Sequence, residues 1–233
     1  MNVKERKTIR KREANKMPEK EKVLLGMSGG VDSSVSAVLL QRQGYEVVGV
    51  TIDFTGDKQK ETEDAKRVCE KLGIPHYHYD AKQEFQAKVV APFVTCYQNC
   101  LTPNPCVECN RYLKFGKMYE FAQSLGIDKI ATGHYAKIEP NEAGEYCLLK
   151  SAATTKDQSY VLYSIPREVL PHVIFPLEGY PNKEEIRKIA AEEKLPIAQK
   201  PDSQDICFIP DGDYAKFLEK MGQKSCKRKH CEP

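Results

Sequence analysis

Short apolar runs alternate with amphipathic stretches along the first 132 residues of the chain. Apolar runs rich in β-branched side chains predict strands, and apolar residues spaced at i, i+3, i+4 and i+7 predict helices. The strands predicted in this way are residues 23–25, 45–53, 75–80 and 128–132. The predicted helices are residues 35–40, 57–72, 82–99 (with a kink at Pro92) and 112–125, and residues 101–109 are expected to form a loop. Strands that alternate with helices across short joints indicate an α/β fold built on a doubly wound parallel sheet.

The pattern changes after residue 135. Residues 136–139 and 145–150 are two short strand-like segments, and the turn residues between them predict a hairpin. Residues 182–195 predict a helix with Asn182 as N-cap and Glu185 three positions later. The second half therefore predicts a small appended α+β module. The resulting division is a disordered basic arm at 1–21, an α/β domain at 22–150, the appended module at 151–221 and a basic tail at 222–233.

Composition narrows the class of protein. The 233 residues are 40% hydrophobic and 30% charged, which suits one good core with a small appendage. The sequence shows no apolar run near the roughly 18 residues of a membrane span and no apolar leader segment, so we expect a cytoplasmic protein without membrane association. Nine cysteines in such a chain favour reduced thiols, metal ligands or catalysis over a disulfide framework.

The two ends of the chain are basic. Residues 1–22 carry a net charge of +5 and residues 216–233 a net charge of +4, although the whole chain carries only +3. Basic ends on an acidic body indicate a polyanionic partner, with RNA as the leading candidate. The alternative is a pair of solvated tails that only aid solubility.

Residues 26–34, which we call the phosphate loop, read Gly-Met-Ser-Gly-Gly-Val-Asp-Ser-Ser between the first predicted strand and the first predicted helix. Backbone N–H groups and the positive end of a helix dipole meet in such a turn, and glycine lets a ligand approach the backbone closely. The hydroxyls expected to add donors are those of Ser28, Ser33 and Ser34. The loop therefore predicts a phosphate site, but not a Walker A motif, because Val31-Asp32 follows the glycines where that motif has Lys-Ser/Thr.

A second loop is expected to face the same site. Thr132-Gly133-His134 follows the fourth predicted strand, as the phosphate loop follows the first. In a parallel sheet, ligands bind beyond the carboxyl ends of the strands. Both loops should therefore line one crevice.

Five ordered motifs carry a family resemblance. The loop SGGVDSS resembles the PP-loop of the N-type ATP pyrophosphatases, which cut ATP between its α and β phosphates. The other motifs are TPNPCVECN (102–110), ATGHYA (131–136), KDQSYVLY (156–163) and DSQDICF (202–208). Together, over about residues 22–218, they resemble the bacterial and mitochondrial tRNA-specific 2-thiouridylases.

The resemblance implies a reaction, cofactors and partners. ATP, with Mg²⁺, adenylates the 2-carbonyl oxygen of the wobble uridine in the tRNA anticodon loop, and sulfur then displaces AMP. The sulfur donor would be a cysteine desulfurase, a relay protein or inorganic sulfide. The residues that the resemblance assigns to ATP are Gly26, Met27, Ser28, Gly29, Gly30, Val31, Asp32, Ser33, Ile52 and Gly133, with Asp32 near the magnesium. Those assigned to tRNA are Asn104, Pro105, His134, Lys156, Asp157 and Gln158.

The cysteines leave three mechanisms open. The resemblance makes Cys109 the nucleophile and Cys207 the persulfide carrier, but Cys106 stands where the family has Asp. Related tRNA thiolases hold a [4Fe-4S] cluster with a C-x-x-C pair and one distant Cys, and Cys106, Cys109 and Cys207 follow that pattern. We favour the cluster over a persulfide route and over a zinc site completed by Cys96 and Cys100.

Two other functions compete with tRNA thiolation. One is a PP-loop enzyme acting on a small molecule, which would not need KDQSY or the paired cysteines. The other is a truncated RNA- or sulfur-binding module without full activity, since the family usually continues through a tRNA-gripping β-barrel and this sequence ends at Pro233.

Overall fold

The computed structural model describes residues 20–56, 59–201 and 206–222. Residues 1–19 of the predicted arm, most of the predicted tail with Cys226 and Cys231, and residues 202–205 lie outside the described residues. The strands are β1 (Lys22–Gly26), β2 (Glu46–Asp53), β3 (His76–Asp80), β4 (Lys129–Ala131), β5 (Lys137–Pro140), β6 (Tyr146–Leu149) and β7 (Val173–Ile174). Five of them form one parallel sheet in the order β3-β2-β1-β4-β7, and β5 and β6 form the predicted antiparallel hairpin. The predicted fold class is confirmed.

Six helical segments connect and cover the strands in the described part of the chain. They are α1 (Val31–Arg42), α2 (Gln59–Leu72), α3 (residues 82–98), α4 (residues 105–124), α5 (Lys183–Glu192) and α6 (Tyr214–Lys220). Within α3 and α4, the segments Gln86–Val90 and Asn110–Lys117 have π-helical hydrogen bonding. Short 3₁₀ helices occupy Ser159–Leu162 and Leu170–His172. None of the described helices combines the length and apolar character needed to cross a bilayer.

The loop prediction for residues 101–109 is wrong from Pro105 onward. Asn104 caps α4, because its Oδ1 accepts a hydrogen bond from the Cys106 backbone N–H at 3.2 Å, and Pro105 occupies the first helical position. Proline suits that position because its missing N–H is not needed there. The two prolines of the motif therefore stiffen the start of a helix. The predicted irregularity at Pro92 lies just after the π-helical segment of α3, where proline removes a helical hydrogen bond.

The core lies on both faces of the sheet. Val23 and Leu25 point to the face covered by α1 and α5, whereas Leu24 points to the face covered by α4, as strand alternation requires. Ile186 of α5 is fully buried in the first of these clusters. The segment after residue 150 therefore shares the core of the preceding domain and adds β7 to its sheet.

Strand order places a crevice at the carboxyl ends of β1 and β4. From β1 the chain proceeds outward through β2 and β3 on one side, and later through β4 and β7 on the other. Such a reversal point is where open α/β sheets bind their ligands. Both predicted loops, the phosphate loop and residues 132–134, emerge there.

Candidate active site

The phosphate loop makes a tight turn that only glycine fits at one position. Gly29 has a φ of +69°, and a Cβ built there would lie 2.2 Å from the backbone oxygen of Glu61. The Ser28 N–H donates to Ser33 Oγ at 3.2 Å, and the two hydroxyl oxygens are also 3.2 Å apart. Gly30 precedes α1 and has no side chain to cap it, so the turn leaves the first N–H groups of α1 to an anionic ligand.

Ser34 does not contribute to this phosphate site, contrary to expectation. Its side chain is fully buried, and its hydroxyl donates to the Gly30 carbonyl at 2.7 Å. A hydroxyl on the second helical turn that bonds back to the carbonyl four residues earlier faces its own helix. Ser33 Oγ also donates to the Gly30 carbonyl, at the longer distance of 3.3 Å, and its side chain is 4% exposed. Ser28 is exposed and is therefore the hydroxyl of the loop that is most open to a ligand.

Gly133 brings the two loops into direct contact. A Cβ at this position would lie 2.8 Å from both the Asp32 carbonyl carbon and the Ser33 nitrogen, which are backbone atoms of the first turn of α1. The two loops therefore lie side by side at the carboxyl ends of β1 and β4, as their positions after the strands predict. Ile52, near the end of β2, is half-buried and packs against the cluster that contains Leu24.

Asp32 lies between two partners that sequence reasoning missed. Lys183 Nζ is 2.6 Å from Asp32 Oδ2, and the buried Tyr135 hydroxyl donates to Asp32 Oδ1 at 2.9 Å. Lys183 is the first residue of α5, and the predicted N-cap is confirmed, since Asn182 Oδ1 accepts from the Glu185 N–H at 3.0 Å. The cap could be read from sequence, but no local pattern shows that Lys183 reaches a loop 151 positions away.

A second lysine supports the loop from the other side. Lys200 Nζ donates to the Gly29 carbonyl at 3.0 Å and to Asp64 Oδ2 at 2.6 Å, and Arg67 also pairs with Asp64. Burial opposes ionisation of Asp64, but hydrogen bonds and charge from Lys200 and Arg67 outweigh it and hold the pKa of Asp64 below its usual value. Two cations from the segment after residue 150 therefore contact this site.

His134 lies in the crevice as a neutral base. Desolvation and then the nearby charge of Lys114 hold its pKa well below the usual value for histidine. Lys114 Nζ lies 3.4 Å from Nε2, and Thr132 Oγ1 lies 2.7 Å from Nδ1. An ammonium can only donate, so Nε2 accepts and the proton resides on Nδ1, where it is donated to Thr132.

Of the three KDQ residues assigned to tRNA, one side chain is exposed to solvent and two are hydrogen-bonded within the protein. Lys156 is exposed. Asp157 accepts hydrogen bonds from the backbone N–H groups and hydroxyls of Ser151 and Ser159, which lowers its pKa against the opposing effect of burial. Gln158 exchanges two bonds with the backbone of Tyr135, at 3.0 and 2.8 Å. Asp157 and Gln158 thus position the chain beside the crevice.

The beginning of α4, which we call the thiol helix, carries two of the candidate cysteines. Cys106 is exposed in the first helical turn. Cys109 is buried at 7% exposure and packs near Phe85. Phe208, beside the exposed Cys207, packs on the same cluster with its ring centroid 5.5 Å from that of Phe85. Phe208 therefore packs against the same apolar cluster that contains Cys109.

The expected cluster ligands do not form a metal site in this arrangement. Within residues 20–56, 59–201 and 206–222, no three His, Cys, Asp or Glu side chains are grouped so that they could hold a metal ion. This applies to Cys106, Cys109 and Cys207, and equally to a zinc site using Cys96 and Cys100. The seven cysteines in the described residues are thiols.

Fold and loop together define an α/β domain with a glycine turn and an uncapped helix N-terminus at the sheet's reversal point. The chain belongs to the tRNA methyl transferase HUP domain family, whose model matches residues 21–211. It is 49% identical over 220 residues to tRNA-specific 2-thiouridylase MnmA 2 of Thermoanaerobacter sp. (strain X514), covering 88% of this chain and 60% of the relative. It is 44% identical over 216 residues to tRNA-specific 2-thiouridylase MnmA of Clostridioides difficile (strain 630), again covering 88% and 60%. The resemblance drawn from the motifs is confirmed, and the chain spans about 60% of these relatives' length.

Solved structures share the fold at lower identity. A 4-thiouridine synthetase in complex with RNA and bound ATP aligns with a TM-score of 0.53 and 23% identity, covering 87% of this chain and 50% of that one. The NMN synthetase of Francisella tularensis aligns with a TM-score of 0.50 and 18% identity, covering 87% and 76%.

Proposed function

We propose that this protein catalyses ATP-dependent 2-thiolation of the wobble uridine of tRNA. The observation that carries the proposal is the contact between the phosphate loop and Gly133 at the reversal point of the sheet, with Asp32 and Lys183 paired inside it. Relatives named tRNA-specific 2-thiouridylase, at 44–49% identity, support the same reaction. The 2-thiouridine product requires both an activated carbonyl and a sulfur carrier, and the chain offers candidates for each.

In the activation step the loop holds the phosphates of ATP. The N–H groups at the start of α1 and the hydroxyls of Ser28 and Ser33 bind the leaving pyrophosphate, while Ile52 lies at the strand end assigned to the nucleotide. Asp32 fits a magnesium ion, because Mg²⁺ in nucleotide sites is held by one or two carboxylates together with substrate phosphates. The ion would supply charge neutralisation there. Lys183, the present partner of Asp32, would then be placed to donate to phosphate oxygens.

In the sulfur step Cys207 carries a persulfide and Cys109 resolves it. The terminal sulfur of the Cys207 persulfide attacks C2 of the adenylated uridine, and AMP leaves with the former 2-oxygen. The Cys109 thiolate then attacks the Cys207 sulfur, which releases 2-thiouridine and leaves a Cys109–Cys207 disulfide. Two routes restore the enzyme. Hydrosulfide can attack the Cys207 sulfur of the disulfide, which forms the Cys207 persulfide and releases the Cys109 thiol; alternatively, a thiol reductant reduces the disulfide and a persulfide-bearing protein then transfers its outer sulfur to the Cys207 thiolate. No step is assigned to an iron–sulfur cluster, because the described thiols are not grouped as its ligands.

The proposed tRNA contacts are the exposed residues near the thiol helix. Asn104 and Pro105 begin that helix, and Lys156 is exposed on the turn that Gln158 ties to Tyr135. We propose that these residues and His134 face the anticodon loop. A base in that loop must leave its stack to be reached, and polar and stacking contacts offset that cost.

The test supplies purified protein with tRNA transcript, ATP, Mg²⁺, a persulfide-bearing donor protein and a thiol reductant, and measures pyrophosphate, AMP and 2-thiouridine. All three products are expected, and Cys207→Ser should abolish thiolation but not pyrophosphate release. Cys147→Ser, on the hairpin, serves as the matched control. Cys106→Asp, which restores the carboxylate expected from the family, should stay active without iron. Orthophosphate as the primary product contradicts the proposal, and pyrophosphate release that does not depend on tRNA indicates a small-molecule substrate instead.

A further inference from the structure

Two neighbouring tyrosines project from the surface beside the thiol helix. Tyr160 is 72% exposed and Tyr163 is 68% exposed, more than any other large hydrophobic side chain in the described residues. Their ring centroids are 6.4 Å apart with an interplanar angle of 46°. Two aromatic rings held this close in water present a wide apolar surface that a flat partner can cover.

The backbone beneath the two rings is firmly held. Between them, Leu162 is fully buried in the core, and the Val161 carbonyl accepts a hydrogen bond from Asn110 Nδ2 at 2.9 Å. One residue further on, Ser164 Oγ donates to the Val107 carbonyl at 3.2 Å. Rigid aromatic side chains lose little entropy on binding, so this arrangement suits recognition.

The two hydrogen bonds that hold this backbone are made by residues next to the two cysteines of the thiol helix. Val107 directly follows Cys106, and Asn110 directly follows Cys109. Asn110 is 1% exposed, and its Oδ1 has no hydrogen-bond partner among the described residues. A buried acceptor of this kind calls for a functional explanation. The tyrosine pair is thus fastened to the segment that carries the candidate nucleophile.

Charge around the tyrosines favours a polyanion. Lys150, Lys156 and Arg167 are exposed in this stretch. Of its two carboxylates, Asp157 is bonded to Ser151 and Ser159, and Glu168 is exposed beside Arg167. Exposed aromatic rings with flanking cations are the combination that binds single-stranded nucleic acid, through stacking and phosphate contacts.

We propose that Tyr160 and Tyr163 form a stacking platform for an unpaired RNA base next to the thiol helix. This inference rests on the proposed function and deepens it: the platform holds a base of the anticodon loop outside its stack while the target base is at the cysteines. The cations bind phosphate, and the rings bind a base face. The two contributions therefore differ in their response to salt.

The experiment measures binding of a fluorescently labelled anticodon stem-loop RNA to the full chain at several salt concentrations. Tyr160→Ala and Tyr163→Ala should each weaken binding by about 5- to 150-fold, the range expected for one stacked base. Tyr160→Phe and Tyr163→Phe, which keep the ring, should bind like the wild type. Tyr146→Ala, a 42% exposed tyrosine on β6, is the matched control. The slope of log Kd against log salt should stay unchanged, because no phosphate contact is removed.

The outcomes separate the inference from the function on which it rests. If the wild type does not bind the RNA, the tRNA substrate and the platform both fail. If the wild type binds and both alanine variants bind within twofold of it, the platform alone is refuted, and the tyrosines are assigned to a protein contact instead. The stacking role is also refuted if the slope of log Kd against log salt changes and the phenylalanine variants bind as weakly as the alanine variants. Since the three substituted tyrosine side chains are exposed, thermal melts of all five variants should show the same stability as the wild type.

Discussion

Replacing Gly133 with alanine tests whether close contact of the two loops builds the nucleotide site. The added Cβ would lie 2.8 Å from the Asp32 carbonyl carbon and the Ser33 nitrogen. Real Cβ atoms do not approach other heavy atoms so closely, and backbone cannot rotate out of the way as a side chain can. The first turn of α1 must therefore move away from β4, and its N–H groups move with it.

The size of the effect follows from these contacts. Overpacking a tight site costs about 1–3 kcal/mol, and the upper part of that range applies because only backbone is available to yield. For a chain of this size about 2–3 kcal/mol lowers Tm by roughly 4–12 °C. Loss of one hydrogen bond to a charged phosphate costs about 1.5–3 kcal/mol, which is roughly a 10- to 150-fold weaker Kd for ATP.

Gly179→Ala is the matched control, because nothing lies within 4 Å of its added Cβ and its φ is ordinary. Urea unfolding and ATP titration of the two variants give the comparison. We expect Gly179→Ala to be neutral or stabilising by about 0.4–1 kcal/mol, through the unfolded chain alone. Equal stability and equal ATP affinity in both variants would refute the claim that Gly133 sets the loop geometry.

Three further predictions concern charge near the crevice. Lys183→Met should reduce ATP-dependent pyrophosphate release at least tenfold, whereas Lys188→Met on the exposed face of the same helix should not; equal rates would remove Lys183 from the site. The pKa of His134 is lowered in the folded protein, so the unfolded chain binds the proton first as the pH falls, and the free energy of unfolding should decrease below about pH 6.5. His134→Gln should weaken this pH dependence of the unfolding free energy. Asp64 also has a lowered folded pKa, so its contribution is present above its unfolded pKa and lost as pH falls through the folded value; Asp64→Asn should weaken the chain at neutral pH and reduce its acid sensitivity, and an unaltered acid profile would contradict this.

Sequence could predict those parts of the site that local rules govern. Strand and helix periods gave the sheet, and glycines after an apolar run gave the phosphate loop. The helix over 105–109 was missed because Asn104-Pro105 can begin a helix as readily as it can stiffen a loop, and a five-residue segment is too short to show a period. Lys183 and Lys200 were missed for another reason. An amphipathic pattern indicates which face of a helix is buried, but it does not indicate which distant residue the end of a long, flexible side chain contacts.

The positions of those two lysines change how the site is understood. Asp64 is 4% exposed, and a carboxylate so buried is costly unless it is paired. One of its partners, Lys200, comes from the segment after residue 150 and also bonds the Gly29 carbonyl, so it joins the loop to α2. Lys183 likewise joins Asp32 to α5. The phosphate loop therefore has these two lysine contacts only when the segment after residue 150 has packed against the rest of the domain. Formation of the proposed nucleotide site is thus coupled to folding of the segment that also carries the proposed tyrosine platform.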